Sequence, residues 1–495
     1  MLYKSTRSQK GPFYNSADVI KQGLAEDGGL FVPEKIPTIS EKEIRGLCHD
    51  DYPTRAAKIL AKFLTDYTYE ELLEDCKEAY NPTSFVGGSA PLVALDETRN
   101  VLELWHGPTA AFKDMALQIM PRLLSRALKK TGEHRTALIL VATSGDTGKA
   151  ALEGYRDVPG VKIMVFYPVD GVSRVQKLQM ATQLGENVNV AAIKGNFDDA
   201  QNGVKAIFGD EELAKELDRM GYFFSSANSI NWGRLAPQIV YYVSAYCDLI
   251  NAKKCKVGDS FNVCVPTGNF GNIFAAFLAK KMGLPIDRMI CASNKNNILT
   301  DFLRTGTYDR NRQFYLTMSP SMDILISSNL ERLLYFTAGP AKTAQYMAEL
   351  KATGKYTVEP AVMNEIRRHF VGYYADEEAT AETIKGTYEK YHYLSDTHTG
   401  VALSAATQYL NETGDDRPLV IDSTASPYKF AKDVYYAVTA KEAPSALEAL
   451  ALLSEATSTE IPYPLAGLES RKVRFETVVE KSEMKDAVLS YLKSE

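Results

Sequence analysis

Lys113 stands in the stretch His106-Gly107-Pro108-Thr109-Ala110-Ala111-Phe112-Lys113-Asp114, between an aromatic ring and a carboxylate. A lysine confined against apolar neighbours loses its proton more readily and then serves as a nucleophile or forms a Schiff base. An ordinary solvated lysine at a helix start has the same local sequence. Pro266-Thr267-Gly268-Asn269-Phe270-Gly271-Asn272 offers the second kind of chemistry. Two glycines let backbone approach a ligand, and successive N–H groups at a helix start favour an anion; the alternative is a plain tight turn. Thr143-Ser144-Gly145-Asp146-Thr147-Gly148-Lys149 resembles a nucleotide P-loop only superficially. That motif needs four residues between its glycines and Ser or Thr after the lysine. Here Asp146 and Thr147 alone separate Gly145 from Gly148, and Ala150 follows Lys149. What remains is a hydroxyl-rich loop suited to a carboxylate or phosphate, or a capped helix start.

Two further segments carry polar groups at the same kind of junction. Ser423-Thr424 follows the apolar run Leu419-Val420-Ile421, where a hydroxyl could touch a heteroatom of a bound ring, while Ser426 reads as a helix cap ahead of Pro427. In Ser226-Ala227-Asn228-Ser229-Ile230-Asn231-Trp232-Gly233-Arg234 the arginine falls in a first helical turn, against the preference of the macrodipole. Arg234 therefore either faces an anion or lies on the surface.

The elements that must position these residues follow from hydrophobic periodicity. Val101 to Trp105 reads as a short strand broken by Gly107-Pro108, and Phe112, Met115, Ile119, Leu123 and Leu124 form one helical face, with Pro121 as a kink. Ala137 to Ala142 is apolar throughout, as in a strand buried on both faces. Strands at 161–167, 188–193, 222–225, 261–265, 288–292 and 418–422 alternate with helices at 149–155, 174–184, 198–208, 232–250, 272–282 and 399–410. This alternation predicts α/β architecture with two doubly wound, mostly parallel sheets. Ligands in such sheets sit beyond the carboxyl ends of strands, where the loops above fall. Residues 1–84 read as an N-terminal cap region. Residues 85–115 and 235–440 read as a large discontinuous cofactor-binding domain, with a helical insertion at about 295–395. Residues 116–234 form a small substrate-side domain, and 441–495 a C-terminal helical tail.

A chain of 495 residues exceeds one ordinary core. Its net charge of −6 leaves no basic footprint for nucleic acid. No run approaches the ~20 apolar residues of a membrane span, and Met1 to Arg7 passes into polar sequence without the apolar core of a signal peptide. The six cysteines show neither CxxC nor zinc-ligand spacing, so no metal site is expected and reduced thiols in a cytoplasmic protein are.

Taken together, the Lys113 stretch, Gly268-Asn269-Phe270-Gly271-Asn272, Ser144-Gly145-Asp146-Thr147-Gly148, Glu26-Asp27-Gly28-Gly29-Leu30-Phe31-Val32-Pro33 and Asp422-Ser423-Thr424-Ala425 resemble the threonine synthase family. These are pyridoxal-phosphate enzymes of the tryptophan-synthase-like fold type II, and the match is to their bacterial and fungal form, over about residues 3 to 435. The resemblance implies that Lys113 holds pyridoxal 5'-phosphate as a Schiff base, that Gly268, Asn269, Phe270, Gly271 and Asn272 cradle its phosphate, and that Thr424 meets the pyridine nitrogen. Ser144, Asp146 and Thr147 would surround the substrate carboxylate or the cofactor hydroxyl, and Asn228, Ser229 and Arg234 the substrate phosphate. The implied reaction converts O-phospho-L-homoserine and water to L-threonine and phosphate, in a monomer or weak homodimer without nucleic-acid or membrane partners. A phospho-lyase of the same fold, releasing 2-oxobutyrate, is the alternative. A dehydratase would leave Arg234 without a phosphate to meet, and a non-catalytic regulator would not need Lys113.

Overall fold

The computed structural model describes residues 1–143, 145–169 and 172–493. Two sheets organise it. The larger runs Phe370–Tyr374, Ile286–Ser293, Phe261–Pro266, Leu419–Ser423, Arg99–Glu103 and Leu92–Ala94, in that spatial order. Every neighbouring pair is parallel except the last. Phe261–Pro266 and Leu419–Ser423 are buried along their whole length, as central strands covered by helices on both faces must be. Three strands far apart in the chain, Phe261–Pro266, Leu419–Ser423 and Arg99–Glu103, are thus direct neighbours with their carboxyl ends together.

The smaller sheet runs Val478–Glu480, Val188–Lys194, Val161–Pro168, Thr136–Ala142 and Tyr222–Ser225, all parallel. The loops after Thr136–Ala142 and Tyr222–Ser225 leave adjacent strands on the same edge. The helix Trp232–Asn251 packs against Gly271–Met282 and the N-terminal helices, is buried along nearly all its length and carries Pro237 within it. The N-terminal region closes one side of it. Three of its four helices start at Ser40, Asp51 and Thr68, each of whose side chains accepts a bond from an N–H of the first turn. Arg55 fastens the region to the long helix through Ser244 Oγ (2.7 Å) and Asp248 Oδ1 (2.8 Å).

Three elements differ from the reading of periodicity. The face expected to continue past Pro121 is two helices, Asp114–Leu117 and Met120–Lys130, and Pro121 opens the second, where its missing N–H costs nothing. The stretch 295–395 is not only helical: Phe370–Tyr374 forms an edge of the large sheet, and Thr307–Asp309 pairs with Lys355–Thr357. The C-terminal stretch is not only helical either. Val478–Glu480 joins the small sheet beside Val188–Lys194, and the helix Met484–Lys493 buries Met484, Val488 and Leu492 against it. Short edge strands carry too few residues to show alternation, so only pairing reveals them.

Candidate active site

The Lys113 loop is laced to the turn after Leu419–Ser423. Leu104 N donates to Ser423 O (3.0 Å), Phe112 N to Thr424 O (2.8 Å) and Ser426 N to Ala110 O (3.1 Å). Ala110 takes a left-handed conformation (φ 58°) to turn the chain. Behind it Asp114 is buried and held by the Thr109 N–H and hydroxyl, both at 2.8 Å. Burial pushes the Asp114 carboxyl up to about 7 against those two bonds. A Cβ on Gly107 would lie 2.6 Å from Asp114 Cβ, so the tight packing there requires glycine.

Lys113 is 9% exposed and its Nζ lies 5.1 Å from the Phe112 ring centroid. Asp146 Oδ2 stands 4.0 Å from the amine. Burial pushes the Lys113 ammonium down to about 8 against the pull of Asp146, and the cations Arg234 and Lys429 deepen the depression. Burial would raise the Asp146 carboxyl, but Lys429 and then Lys113 outweigh it and hold the group well below the usual carboxylate range. The site thus pairs an amine that deprotonates near neutrality with a carboxylate that stays ionised.

Residues 268–272 present a run of backbone donors at a helix start. Phe270 is left-handed (φ 64°) and leads into the helix Gly271–Met282 with no side chain capping it. Among the described residues, the N–H groups of Gly268 to Asn272 find no protein acceptor. The loop carbonyls, by contrast, are tied down: Ser327 Oγ donates to Gly268 O (2.7 Å) and Asn329 N to Asn269 O (3.0 Å). Holding the carbonyls from behind turns the N–H groups outward. A Cβ on Gly268 would come 2.7 Å from Ser321 O. Asn272 Oδ1 accepts from Tyr241 OH and from Tyr242 OH (2.6 Å), and Tyr242 OH also reaches Asp422 Oδ2 (2.7 Å).

Thr424 is buried at its strand end, and its hydroxyl has no partner among the described residues. Thr147 is half-buried in the first turn of Asp146–Tyr155. Ser144 lies outside the described residues. Arg234 is buried rather than on the surface; Nη1 donates to Ala227 O (2.9 Å), and burial pushes its basicity down to about 10. Asn228 is exposed and Ser229 half-buried, and Ser229 O accepts from Asn329 Nδ2 (3.3 Å).

Several residues of the site carry no sequence signal of their own. Gln176 Nε2 donates to Asp146 Oδ1 at 2.9 Å, and a Cβ on Gly145 would collide with that amide at 2.3 Å. Lys429 also binds Asp146. Asn329 joins the 268–272 loop to the 226–234 loop, and the wholly buried Arg332 holds Asn329, Ile230 O (2.6 Å) and Phe31 O (3.0 Å) together. An apolar turn interrupted by a lone lysine, Tyr428-Lys429-Phe430, was the one available hint. No group of His, Cys, Asp and Glu among the described residues could hold a metal, and all six cysteines are free.

The buried lysine, the run of backbone donors and the strand-end hydroxyl, the last two without protein partners among the described residues, lie beyond the carboxyl ends of neighbouring strands, an arrangement that fits a pyridoxal-phosphate-dependent enzyme. The family model described as "Pyridoxal-phosphate dependent enzyme" matches residues 87–423, flanked by "Threonine synthase N terminus" at 2–80 and "Threonine synthase, C-terminal" at 399–488. The chain belongs to the threonine synthase family. It is 41% identical over 442 residues to threonine synthase of Pseudomonas aeruginosa, covering 88% of this chain and 90% of that one. It is 40% identical over 440 residues to threonine synthase-like 1 of Homo sapiens, covering 86% of this chain but only 58% of that longer relative. The structure of PLP-bound threonine synthase from Brucella melitensis superposes with a TM-score of 0.88 at 36% identity, covering both chains completely.

The cofactor of this fold is pyridoxal 5'-phosphate, and the residues present fit it. The unpaired N–H groups of 268–272 suit a phosphate, and the buried amine of Lys113 suits an aldehyde. The Thr424 hydroxyl suits a ring nitrogen.

Proposed function

We propose that the protein converts O-phospho-L-homoserine and water to L-threonine and phosphate. Pyridoxal phosphate, when bound, supplies an aldehyde for amines and an electron-withdrawing ring. The 268–272 N–H groups hold its phosphate, and Thr424 meets its ring nitrogen with a neutral hydroxyl, which leaves that nitrogen less strongly protonated than a carboxylate would. Lys113 attaches the cofactor, and its neutral amine takes and returns protons at Cα and Cβ of the substrate. Asp146, an ionised carboxylate already bound by Lys429, repels a substrate carboxylate; its partner is the cofactor hydroxyl. Arg234, Asn228, Ser229 and Thr147 receive the substrate phosphate and stabilise it as it leaves Cγ.

The observation that carries this reading is the buried Arg234, a cation beside Lys113 with no carboxylate partner among the described residues. A buried guanidinium without a counter-ion is costly unless an anion arrives. A phosphorylated substrate brings such an anion in addition to its α-carboxylate. The family assignment adds its weight, since relatives of the same family carry the name threonine synthase.

The test is phosphate release coupled to threonine detection on purified protein with phosphohomoserine. Equal yields of phosphate and threonine are expected, and both vanish in Lys113→Ala together with the visible absorbance of the bound cofactor. Formation of 2-oxobutyrate without threonine would make the phospho-lyase alternative correct. We further infer a cytoplasmic monomer or weak homodimer. The free thiols support the location, and no helix among the described residues is long and apolar enough to cross a membrane.

A further inference from the structure

The turn Pro427–Phe430 carries a lysine that neither the phosphate cradle nor the substrate loops require. The Lys429 side chain is wholly buried. Its Nζ lies 2.8 Å from Asp146 Oδ1, 3.1 Å from Thr109 O and 3.1 Å from Gln179 Oε1. An ammonium has three hydrogens, and here three acceptors take them. Those acceptors come from the helix beside the small sheet, from the Lys113 loop and from the first turn of Asp146–Tyr155, while Lys429 itself follows a strand of the large sheet. The other Asp146 oxygen faces Lys113 at 4.0 Å. One carboxylate thus stands between two lysines, bonded to one and only near the other, with Gln176 Nε2 fixing its plane at 2.9 Å.

We propose that Lys429 is a positioning residue: by bonding Asp146 directly it holds that carboxylate in place between the two sheets and keeps it from closing onto Lys113 as an ion pair, which leaves the Lys113 amine free to react. This deepens the reading of Lys113 as the reactive amine and rests on it. In a buried site an opposite charge within about 4–6 Å favours the ammonium by about 1–3 pH units, and a second, closer cation on the same carboxylate offsets that preference. Lys113 is faced by Asp146 and Asp114 on the acidic side and by Lys429 and Arg234 on the basic side. Removing either member of the Asp146–Lys429 pair must therefore move Lys113 in opposite directions, which no general loosening of the fold would do.

Two readouts test this: the pH midpoint of the holoenzyme's visible absorption band, and the pH dependence of Lys113 acylation by acetic anhydride in the cofactor-free chain, followed by peptide mass spectrometry. Lys429→Gln is expected to raise both midpoints by about one unit or more, Asp146→Asn to lower them by about as much, and the double variant to fall within about half a unit of wild type. Midpoints that stay put, or that move the same way in both single variants, overturn the proposal. If a variant does not fold, the wild type still decides. With all its hydrogens engaged, Lys429 should acylate at least about tenfold more slowly than Lys113 near neutral pH, and equal rates refute the arrangement. Opposite shifts without threonine formation would keep this inference and discard the proposed reaction; threonine formation with unmoved midpoints would do the reverse.

Discussion

Arg332 offers the sharpest test of how the site is held together. Its guanidinium is wholly buried, with no carboxylate at ion-pair distance among the described residues. It donates to Phe31 O at 3.0 Å, Ile230 O at 2.6 Å and Asn329 Oδ1, and lies 5.9 Å from the Trp232 ring centroid. Burial pushes its basicity down to about 9. Arg332→Met would orphan three acceptors, at about 1–3 kcal/mol each, or about 3–9 kcal/mol if nothing relaxed. Against that stands relief from burying an uncompensated cation, itself worth several kcal/mol. The two nearly cancel in global stability, but they do not cancel locally. Asn329 loses the group that orients its side chain, and with it goes the bond to Ser229 O, on top of the lost bond to Ile230 O; its backbone N–H stays on Asn269 O. Two anchors lost from the 226–234 loop correspond to about 1.4–2.8 kcal/mol, or about 10- to 100-fold in affinity. Phosphate-release kinetics should show that loss in KM for phosphohomoserine, while titration of the cofactor-free variant with pyridoxal phosphate should show a smaller change in Kd. The thermal midpoint should fall only a few degrees. Arg332→Lys, which keeps the charge but not the planar fork, should land between. An unchanged KM in the methionine variant would refute the argument, as would a collapse in stability with binding intact.

Two other outcomes follow from the same geometry. Gly268→Ala places a Cβ 2.7 Å from Ser321 O and should weaken cofactor binding more than tenfold while leaving the chain folded, as read by cofactor titration and circular dichroism; full affinity would mean that the cradle lies elsewhere. Asp422 is pushed up to about 7 by burial, against the bond from Tyr242. Its unfolded value is near 3.9, so between about pH 4 and 7 the native state keeps a proton that the unfolded chain releases, and stability falls by about 4 kcal/mol as pH rises through that window. Asp422→Asn removes the titration. Its thermal midpoint relative to wild type should therefore climb from pH 4 to 8 and level off above about 7, whereas parallel curves would show Asp422 ionised in the fold.

Much of the fold could be read in advance because its central strands are contiguous apolar runs. Thr136–Ala142 and Leu419–Ser423 announce themselves through burial on both faces, which requires every side chain to be apolar or satisfied locally. The helix Glu211–Arg219 escaped because its first turn and last turn are charged and only Leu213 and Leu217 are buried, too few to mark a face. Phe370–Tyr374 and Val478–Glu480 escaped for a related reason: an edge strand is defined by the neighbour it pairs with, here Ile286–Ser293 and Val188–Lys194. Arg234 was legible only as a violation of the macrodipole rule, and burial turns that violation into a buried charge beside Lys113.

By itself the sequence determined the pieces whose chemistry is local. A lysine behind an apolar ring, two glycines at a strand end and a hydroxyl after a buried strand are each encoded within about ten consecutive residues, because backbone permissiveness and side-chain type suffice to make them. Tertiary structure alone decided what surrounds them. Lys429 reaches Gln179 across 250 residues of chain, and Arg332 reaches Phe31 across 301. Such partners leave no periodicity, since a buried charge is specified by the acceptors around it and not by its neighbours in sequence. The loops carry the candidate groups; the long-range contacts bury them, bias their protonation and hold them at one edge of the sheet.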